Sequence, residues 1–397
     1  MEISGLHTFF LGLLALILGR YLGNRIPFLK KYFIPNAVSG GLAFALAILA
    51  INQLLDQDLV FETKGRDLLL LLFFSCIGLS FRVSALAKGG KPVLYLSILA
   101  IIFLFLQNGL AIGLTSLFGK TPAWGLFAGS MGLMGGYGSV IAYSPLIENT
   151  FDLDHGLEVG MMAATIGLVC STLIGGPIAK FLISRYKVKP KEESELLVGV
   201  KEEKLEDVSV ESIFVVLTLV IFNIVIGLPI SDHMSSLGYD APDFLYVMIV
   251  GIIVTNLLPV LYPKRPWSVK SPTLGMVSDW SLGLFLSISL LSMDLTSLTD
   301  RAGIVIVVLI CQIAFAIFYC IFVIYNFMGR DYKAVVMSAG FAGLSLGTVP
   351  SAILNMSAVE QNYAPSPTAI ITVSIVGSAI IHFSNAVIIK LFIDVLG

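Results

Sequence analysis

Charged residues are scarce in this chain of 397 residues. Lys, Arg, Asp and Glu make up 13% of it and hydrophobic residues 57%, whereas an average soluble protein carries about 25% charged residues. A chain folded in water could not cover so much apolar surface, so the composition predicts a membrane protein rather than two or three soluble domains. The 24 basic and 26 acidic side chains nearly cancel, which excludes a basic surface for nucleic acid.

Cysteine and histidine are also rare, with four of each. The cysteines stand singly within apolar segments, so we interpret them as small packing residues rather than metal ligands or disulfide partners. The apolar segments contain neither a nucleophile–base pair nor a metal-ligand cluster, which a membrane enzyme needs. We therefore predict that the protein is not an enzyme and uses no organic cofactor. The cysteines are Cys76, Cys170, Cys311 and Cys320.

Long apolar runs dominate the sequence. A helix of about 20 residues crosses ~30 Å of hydrocarbon, and shorter helices cross where the bilayer is thinned. The first run has no preceding positive region and no small-residue cleavage site, which favours a membrane helix over a signal peptide. The ten predicted spans are 3–19, 34–55, 68–81, 92–118, 158–183, 212–228, 243–262, 275–293, 302–328 and 368–394.

The basic residues predict the orientation of these spans. Cytoplasmic loops are enriched in Lys and Arg, and 19 of the 24 basic residues lie in five loops that fall on one side. We expect both termini outside and those loops inside. This orientation requires two further apolar stretches, 122–147 and 333–357, to return to the side where they begin, as re-entrant hairpins. The five loops are 20–31, 82–91, 180–204, 264–270 and 330–333.

A charged segment of mixed sign at 186–210 divides the chain into halves. We interpret it as a solvated cytoplasmic linker, with a regulatory segment as the alternative. Each half, 1–185 and 211–397, then holds five spans and one hairpin, and an odd number of crossings gives the halves opposite orientations. The predicted fold is an all-α polytopic membrane protein of ten transmembrane helices in two inverted five-helix repeats. Residue matches at a shift of about 210 include Gly167 with Gly377, Leu133 with Leu344, and Gly136 with Gly347.

Both predicted hairpins are rich in glycine and are broken near their middles. A half-helix that begins at such a break directs unpaired N–H groups at an anion, and one that ends there leaves carbonyl oxygens for a hard cation such as Na⁺. Paired broken segments in inverted halves are typical of the binding site of a secondary transporter. The predicted substrate-binding residues are Gly135, Gly136, Tyr137, Gly138, Ser139, Ser345, Gly347, Thr348, Pro350 and Ser351.

Residue types within the hairpins refine this prediction. Pro350 suits the first turn of a half-helix, and Ser139 or Thr348 is expected to cap one. The alternative is that the glycines only form small packing faces. Polar residues in and around the spans are sodium candidates or, equally, helix-to-helix hydrogen bonds. They are Gln107, Asn108, Thr165, Gln312, Asn355, Thr372 and Asn385, with Ser75 and Ser287 matched by the repeat.

Short stretches spread along the chain carry a resemblance to a known family. They are Phe28–Tyr32, Ile34-Pro35, Ser39–Gly41, Ile77–Leu79, Gly89-Gly90, Gln107-Asn108, 134–139, Gly175–Pro177, 343–351, Asn355-Met356 and Asn385-Ala386. In this order and spacing the chain resembles the bacterial sodium/glutamate symporter family over nearly its whole length.

The resemblance implies a carrier of L-glutamate coupled to Na⁺ in the bacterial inner membrane. It also implies a homodimer surrounded by lipid, in which a transport domain with the hairpins slides against a scaffold domain. Gly135–Ser139 and Ser345–Ser351 match the family's functional tips, although Tyr137 stands where members often carry histidine. A Na⁺-coupled carrier of citrate or another organic acid anion is the alternative, and an ion channel, which differs in flux rate, is a third reading.

Overall fold

The computed structural model describes residues 2–32, 34–55, 59–62, 64–189, 208–238, 241–261, 272–291 and 302–397, and these are almost entirely helical. Strands β1 (Glu2–Ile3) and β2 (Val60–Phe61) form one short parallel pair. Two π-helical segments, Cys320–Ile324 and Val376–Ile381, continue α12 into α13 and α16 into α17. The helices are α1 (Gly5–Arg25), α2 (Pro27–Lys31), α3 (Asn36–Leu55), α4 (Lys64–Ser80), α5 (Val83–Leu117), α6 (Trp124–Phe127), α7 (Gly136–Phe151), α8 (Gly156–Tyr186), α9 (Val210–Ser236), α10 (Asp243–Leu261), α11 (Pro272–Leu291), α12 (Ala302–Tyr319), α13 (Tyr325–Phe327), α14 (Tyr332–Leu346), α15 (Val349–Asn362), α16 (Pro367–Ile375) and α17 (His382–Leu396).

Eight helical stretches in the described part of the chain are long and apolar enough to cross a membrane. They coincide with eight of the ten predicted spans, so the prediction of an all-helical, multi-pass membrane protein is confirmed. The predicted spans 34–55 and 68–81 correspond to α3, whose apolar part is Asn36–Asn52, and to the 17-residue α4. The eight stretches are Gly5–Arg25, Gly90–Leu117, Gly156–Tyr186, Val210–Ser236, Asp243–Leu261, Pro272–Leu291, Gly303–Phe327 and Pro367–Leu396.

The helices form two compact units, and each unit takes helices from both halves of the chain. The first contains α1, α3, α4, α9, α10 and α11, and the second contains α5 to α8 and α12 to α17. In the predicted linker 186–210, α8 ends at Tyr186 and α9 begins at Val210, while 190–207 lie outside the described residues. The predicted loop 264–270 also lies outside them.

Within the first unit, two glycines mark places where helices pack very closely. A Cβ atom added to Gly78 of α4 would meet the carbonyl oxygen of Met248 on α10. One added to Gly41 of α3 would lie 2.8 Å from Cβ of Leu290 on α11. Each contact joins a helix from the first half of the chain to one from the second, α4 to α10 and α3 to α11.

The second unit contains two similar contacts between a glycine and a leucine. A Cβ atom added to Gly167 of α8 would lie 2.6 Å from Cδ2 of Leu133, and one added to Gly377 would lie 2.7 Å from Cδ2 of Leu344. The turns before the two predicted hairpins also close alike, by hydrogen bonds that span five residues. Lys120 N–H donates to the carbonyl of Thr115 at 3.1 Å, and Arg330 N–H to that of Tyr325 at 3.2 Å.

Candidate functional site

The segment 333–357 folds as two antiparallel helices joined at Gly347 and Thr348, which we call the second break. A Cβ atom added to Gly343 would lie only 2.5 Å from Cα of Ala352, which shows that α14 and α15 pack closely. Pro350 lies in the first turn of α15, as the sequence predicted. Thr348 occupies the N-cap position, but the prediction that its side chain caps the helix is wrong. The Thr348 side chain accepts no capping hydrogen bond, so the first N–H groups of α15 are left for another acceptor.

The segment 122–147 is broken over 128–135, which we call the first break. The part before it is a single turn, α6, rather than the predicted half-helix, and α7 begins at Gly136. The repeated glycines explain the difference, because each one in a helix costs about 1 kcal/mol relative to alanine. Gly136 has φ +64°, a conformation that favours glycine.

The first turn of α7 lacks a side-chain cap. Its N-cap residue is Gly135, which has no side chain, and Ser139 lies within the helix. The prediction that Ser139 caps a half-helix is therefore wrong, because α7 begins four residues earlier than that role requires. Helices elsewhere in the chain do have caps: the Asp331 carboxylate accepts from Ala334 N–H at 2.9 Å at the start of α14.

A closed polar network holds the first break. Asn108 donates from Nδ2 to Ser130 Oγ at 2.8 Å, and its Oδ1 accepts from Ser130 N–H at 2.9 Å. Ser130 Oγ donates to Asn385 Oδ1 at 2.6 Å, and Asn385 Nδ2 donates to the Ser130 carbonyl at 3.3 Å. All three residues are buried. The network joins α5 and α17 to the break, and its polar atoms satisfy one another.

The second break is held by two glutamines. Gln107 Nε2 donates to the carbonyl of Ser345 at 2.9 Å, and Gln312 Nε2 donates to the carbonyl of Gln107 at 2.8 Å. Both side chains are fully buried, and neither Oε1 atom has a hydrogen-bond partner among the described residues. The same is true of Ser351 Oγ, in the first turn of α15. Neighbouring residues of α5, Gln107 and Asn108, thus serve different breaks.

Helix α8 contacts both breaks along one face. Gly167 packs against Leu133 of the first break, and a Cβ atom added there would also lie 2.6 Å from the carbonyl oxygen of Leu346, next to the second. One turn later, Ser171 lies against Gly347. Its carbonyl accepts from Asn355 Nδ2 at 2.8 Å. The two breaks therefore share α5 and α8 in one unit.

The remaining predicted residues lie on or beside these elements. Tyr137 donates its hydroxyl to Thr165 Oγ1 at 3.2 Å, which in turn donates to the Met161 carbonyl at 2.8 Å. Gly138 and Ser139 are half-buried in the first turn of α7, whereas Thr348 and Pro350 are exposed. Thr372 is buried on α16. Among the described residues, no cluster of three His, Cys, Asp or Glu side chains offers a conventional metal site.

Two residues that contact the breaks were missed from the sequence. Ser130 lies inside the glycine-rich segment, but nothing in its spacing marks it as the centre of a network. Ser171 stands between Gly167 and Gly175 at four-residue intervals. This small-residue stripe on one helix face was the available signal. A Cβ atom added to Gly175 would meet the Asn355 side chain.

Comparison with known proteins decides the family. The model of the family described as "Sodium/glutamate symporter" matches residues 1–365. The chain is 34% identical over 396 residues to the sodium/glutamate symporter of Escherichia coli (strain K12), which covers 99% of this chain and 98% of the relative. The chain belongs to the sodium/glutamate symporter family. The resemblance inferred from the sequence is thereby confirmed.

Other comparisons agree with the sodium/glutamate symporter family. The sodium/glutamate symporter of Haemophilus influenzae is 33% identical over 392 residues, 98% of this chain and 96% of the relative. Members of the family are transporters, not enzymes, and the relatives are named for glutamate, so the citrate alternative has no support. Among solved structures, the sodium proton antiporter MjNhaP1 from Methanocaldococcus jannaschii covers 98% of this chain and 96% of its own, at 14% identity and a TM-score of 0.42. That similarity is too low to carry an argument.

Proposed function

We propose that the protein carries L-glutamate across the membrane together with Na⁺, by alternating access, and that both ligands bind at the two breaks. The observation that carries this proposal is the meeting of both breaks around α5 and α8 in one unit. There, α7 and α15 each begin without a side-chain cap, and at the second break the buried side-chain oxygens of Gln107, Gln312 and Ser351 have no hydrogen-bond partner among the described residues. Membership of the sodium/glutamate symporter family supplies the substrates.

The uncapped N-termini of α7 and α15 suit the carboxylates of glutamate. Free N–H groups and the positive end of the helix dipole favour an anion. Among the described residues, the side chains that hydrogen-bond to the two breaks (Gln107, Asn108 and Asn385) are uncharged. Thr348 and Pro350 are exposed, which leaves the start of α15 accessible to a ligand.

Carbonyl and hydroxyl oxygens near the second break suit Na⁺, which is a hard cation. Sodium binding there organises the end of α14 and the start of α15, and thereby raises the affinity for glutamate. The coupling is reciprocal, so glutamate raises the affinity for Na⁺ by the same factor.

We propose further that ten helices cross the membrane and that 122–147 and 333–357 are re-entrant hairpins in two inverted repeats, 1–185 and 211–397. The matched contacts of Gly167 with Leu133 and of Gly377 with Leu344 support this arrangement. In the proposed orientation both termini lie outside and the linker lies in the cytoplasm. From the family resemblance we also propose a homodimer in the inner membrane, with the second unit as transport domain and the first as scaffold.

Accessibility labelling tests the hairpins. With the natural cysteines replaced, single cysteines are introduced at Thr121 and Thr150 around the first hairpin and at Arg330 and Asn362 around the second; all four positions are exposed. We expect each pair to react with an impermeant thiol reagent from one side, and the two pairs from opposite sides. Members of a pair that react from opposite sides would show that the segment crosses the membrane.

Uptake into proteoliposomes tests the transport activity. We expect an inward Na⁺ gradient to drive accumulation of labelled L-glutamate, and unlabelled L-glutamate to compete far better than citrate. Uptake that persists unchanged when the Na⁺ gradient is collapsed would exclude sodium coupling.

A further inference from the structure

The two breaks differ in whether their buried polar atoms are satisfied. At the first break, the side-chain oxygens and amide nitrogens of Asn108, Ser130 and Asn385 all take part in hydrogen bonds. At the second, Gln107 Oε1 and Gln312 Oε1 have no partner among the described residues, although both side chains are fully buried. A buried polar atom left without a partner costs about 1–3 kcal/mol, so two on adjoining side chains require an explanation.

The hydrogen bonds of the two glutamines determine what kind of partner they need. Each Nε2 donates to a main-chain carbonyl, so each amide is oriented with its oxygen free. An amide oxygen accepts hydrogen bonds or ligates a cation, and it cannot donate. The pair is connected, because Gln312 donates to the carbonyl of Gln107 itself. Two neutral carbonyl oxygens, with no carboxylate, match a weakly held monovalent cation better than a divalent ion.

We infer that Na⁺ is bound at the second break by the side-chain oxygens of Gln107 and Gln312, and that the first break holds no sodium ion. This inference rests on the proposed sodium-coupled transport and narrows the seven sodium candidates to two. Cation binding at Gln107 Oε1 polarises the amide and strengthens its donation from Nε2 to the Ser345 carbonyl. Sodium thereby fixes the last turn of α14, next to the break where glutamate binds.

Thermal unfolding of the purified full-length protein in detergent tests the inference without requiring transport. We expect Na⁺, compared with equal concentrations of K⁺ or choline, to raise the Tm of the wild type. In Gln107→Leu and Gln312→Leu, which remove the oxygens, the half-saturating Na⁺ concentration for this shift rises at least about tenfold, as expected when a metal site is damaged. Gln312→Glu loses the donation to the Gln107 carbonyl and lowers the Tm, but it keeps side-chain oxygens for a cation and retains the Na⁺ shift.

Ser130→Ala is the matched control at the first break. It lowers the Tm because it opens the Asn108–Ser130–Asn385 network, but we expect its half-saturating Na⁺ concentration to equal that of the wild type. An unchanged Na⁺ dependence in both leucine variants would overturn the inference, as would a sodium shift lost in Ser130→Ala. So would a wild-type Tm with no preference for Na⁺, which would indicate that water satisfies the glutamines. Failure of Na⁺-driven uptake by the wild type would instead reject the proposed function.

Discussion

The two breaks interrupt the glycine-rich segments 122–147 and 333–357, and they are built differently. The first is an eight-residue run of turns closed by the Asn108–Ser130–Asn385 network and followed by a glycine with positive φ. The second is a short interruption between tightly packed helices, beside two glutamines with free oxygens. Both present an uncapped helix N-terminus. A helix start without a side-chain cap therefore occurs in two different settings: the polar side chains at the first break satisfy one another, whereas buried oxygens at the second have no partner among the described residues.

The largest expected effect comes from side chains at the break glycines. We expect Gly136→Leu and Gly347→Leu to abolish sodium-driven glutamate uptake while protein still reaches the membrane, measured by uptake and by immunoblot of membranes. Gly109→Ala and Gly176→Ala are the matched controls, because a Cβ atom at either position would meet nothing within 4 Å. Wild-type uptake by both leucine variants would reject the breaks as the binding site.

Replacing the same two glycines by alanine distinguishes the causes of the expected loss of uptake. At Gly347 the obstacle is steric, since an added Cβ would meet Ser171; at Gly136 it is the positive φ, in open space. We therefore expect Ser171→Gly to restore uptake partly in Gly347→Ala and not at all in Gly136→Ala. Equal rescue of both would show that the two glycines are required for the same reason.

An intermediate effect is expected at the first break. Ser130→Ala removes the hydrogen bonds to Asn108 Nδ2 and Asn385 Oδ1, and each buried group left unpaired costs about 1–3 kcal/mol. We expect a clearly lower Tm in detergent. Ser116→Ala, at an exposed position whose hydroxyl bonds only to the Ile112 carbonyl, is the control and should change the unfolding free energy by less than about 0.5 kcal/mol. Equal Tm values for the two variants would contradict a closed network.

The smallest effect compares a capped helix start with an uncapped one. Asp331→Ala removes a capping bond at α14 and should cost about 1 kcal/mol of unfolding free energy. Thr348→Ala removes a side chain that makes no such bond and should cost at most about 0.5 kcal/mol. Denaturant unfolding of both variants, with Asp331→Asn as the control that keeps a capping oxygen, measures the difference. A larger loss at Thr348 would mean that its hydroxyl caps α15 after all.

Much of the fold was predictable because hydrophobicity acts locally. Apolar runs long enough to span a bilayer can be recognised from a short window of the sequence alone. Eight of the ten predicted spans coincide with long apolar helices. The helix start after the second break was also predictable, because the ring of Pro350 suits the first turn of a helix, whereas the capping bond expected of Thr348 is not formed. The start of α7 was not, because Gly136 takes a positive φ within a tertiary environment that includes Asn385 beside Gly135.

The sequence could not predict which polar side chain contacts which break. Gln107 and Asn108 are adjacent, so on α5 they point about 100° apart, but only the packed structure decides which break each one meets. Ser130 gave no signal, because a serine in a glycine-rich segment reads as a turn residue. The sequence therefore predicted candidate residues in both broken segments and could not assign their hydrogen-bond partners.

The π-helical segment Val376–Ile381 connects residues that contact the two breaks. Gly377, within it, lies against Leu344 and Val349 on either side of the second break, and Asn385, just beyond it, bonds to Ser130 in the first. The continuous helix formed by α16, the π-helical segment and α17 therefore contacts both breaks, and the π-helical turns, which are wider than α-helical ones, lie between α16 and Asn385. Deleting one residue from the π-helical segment would rotate α17 by about 100° relative to α16. The hydrogen bonds between Asn385 and Ser130 would then be lost, whereas the contacts of Gly377 would remain.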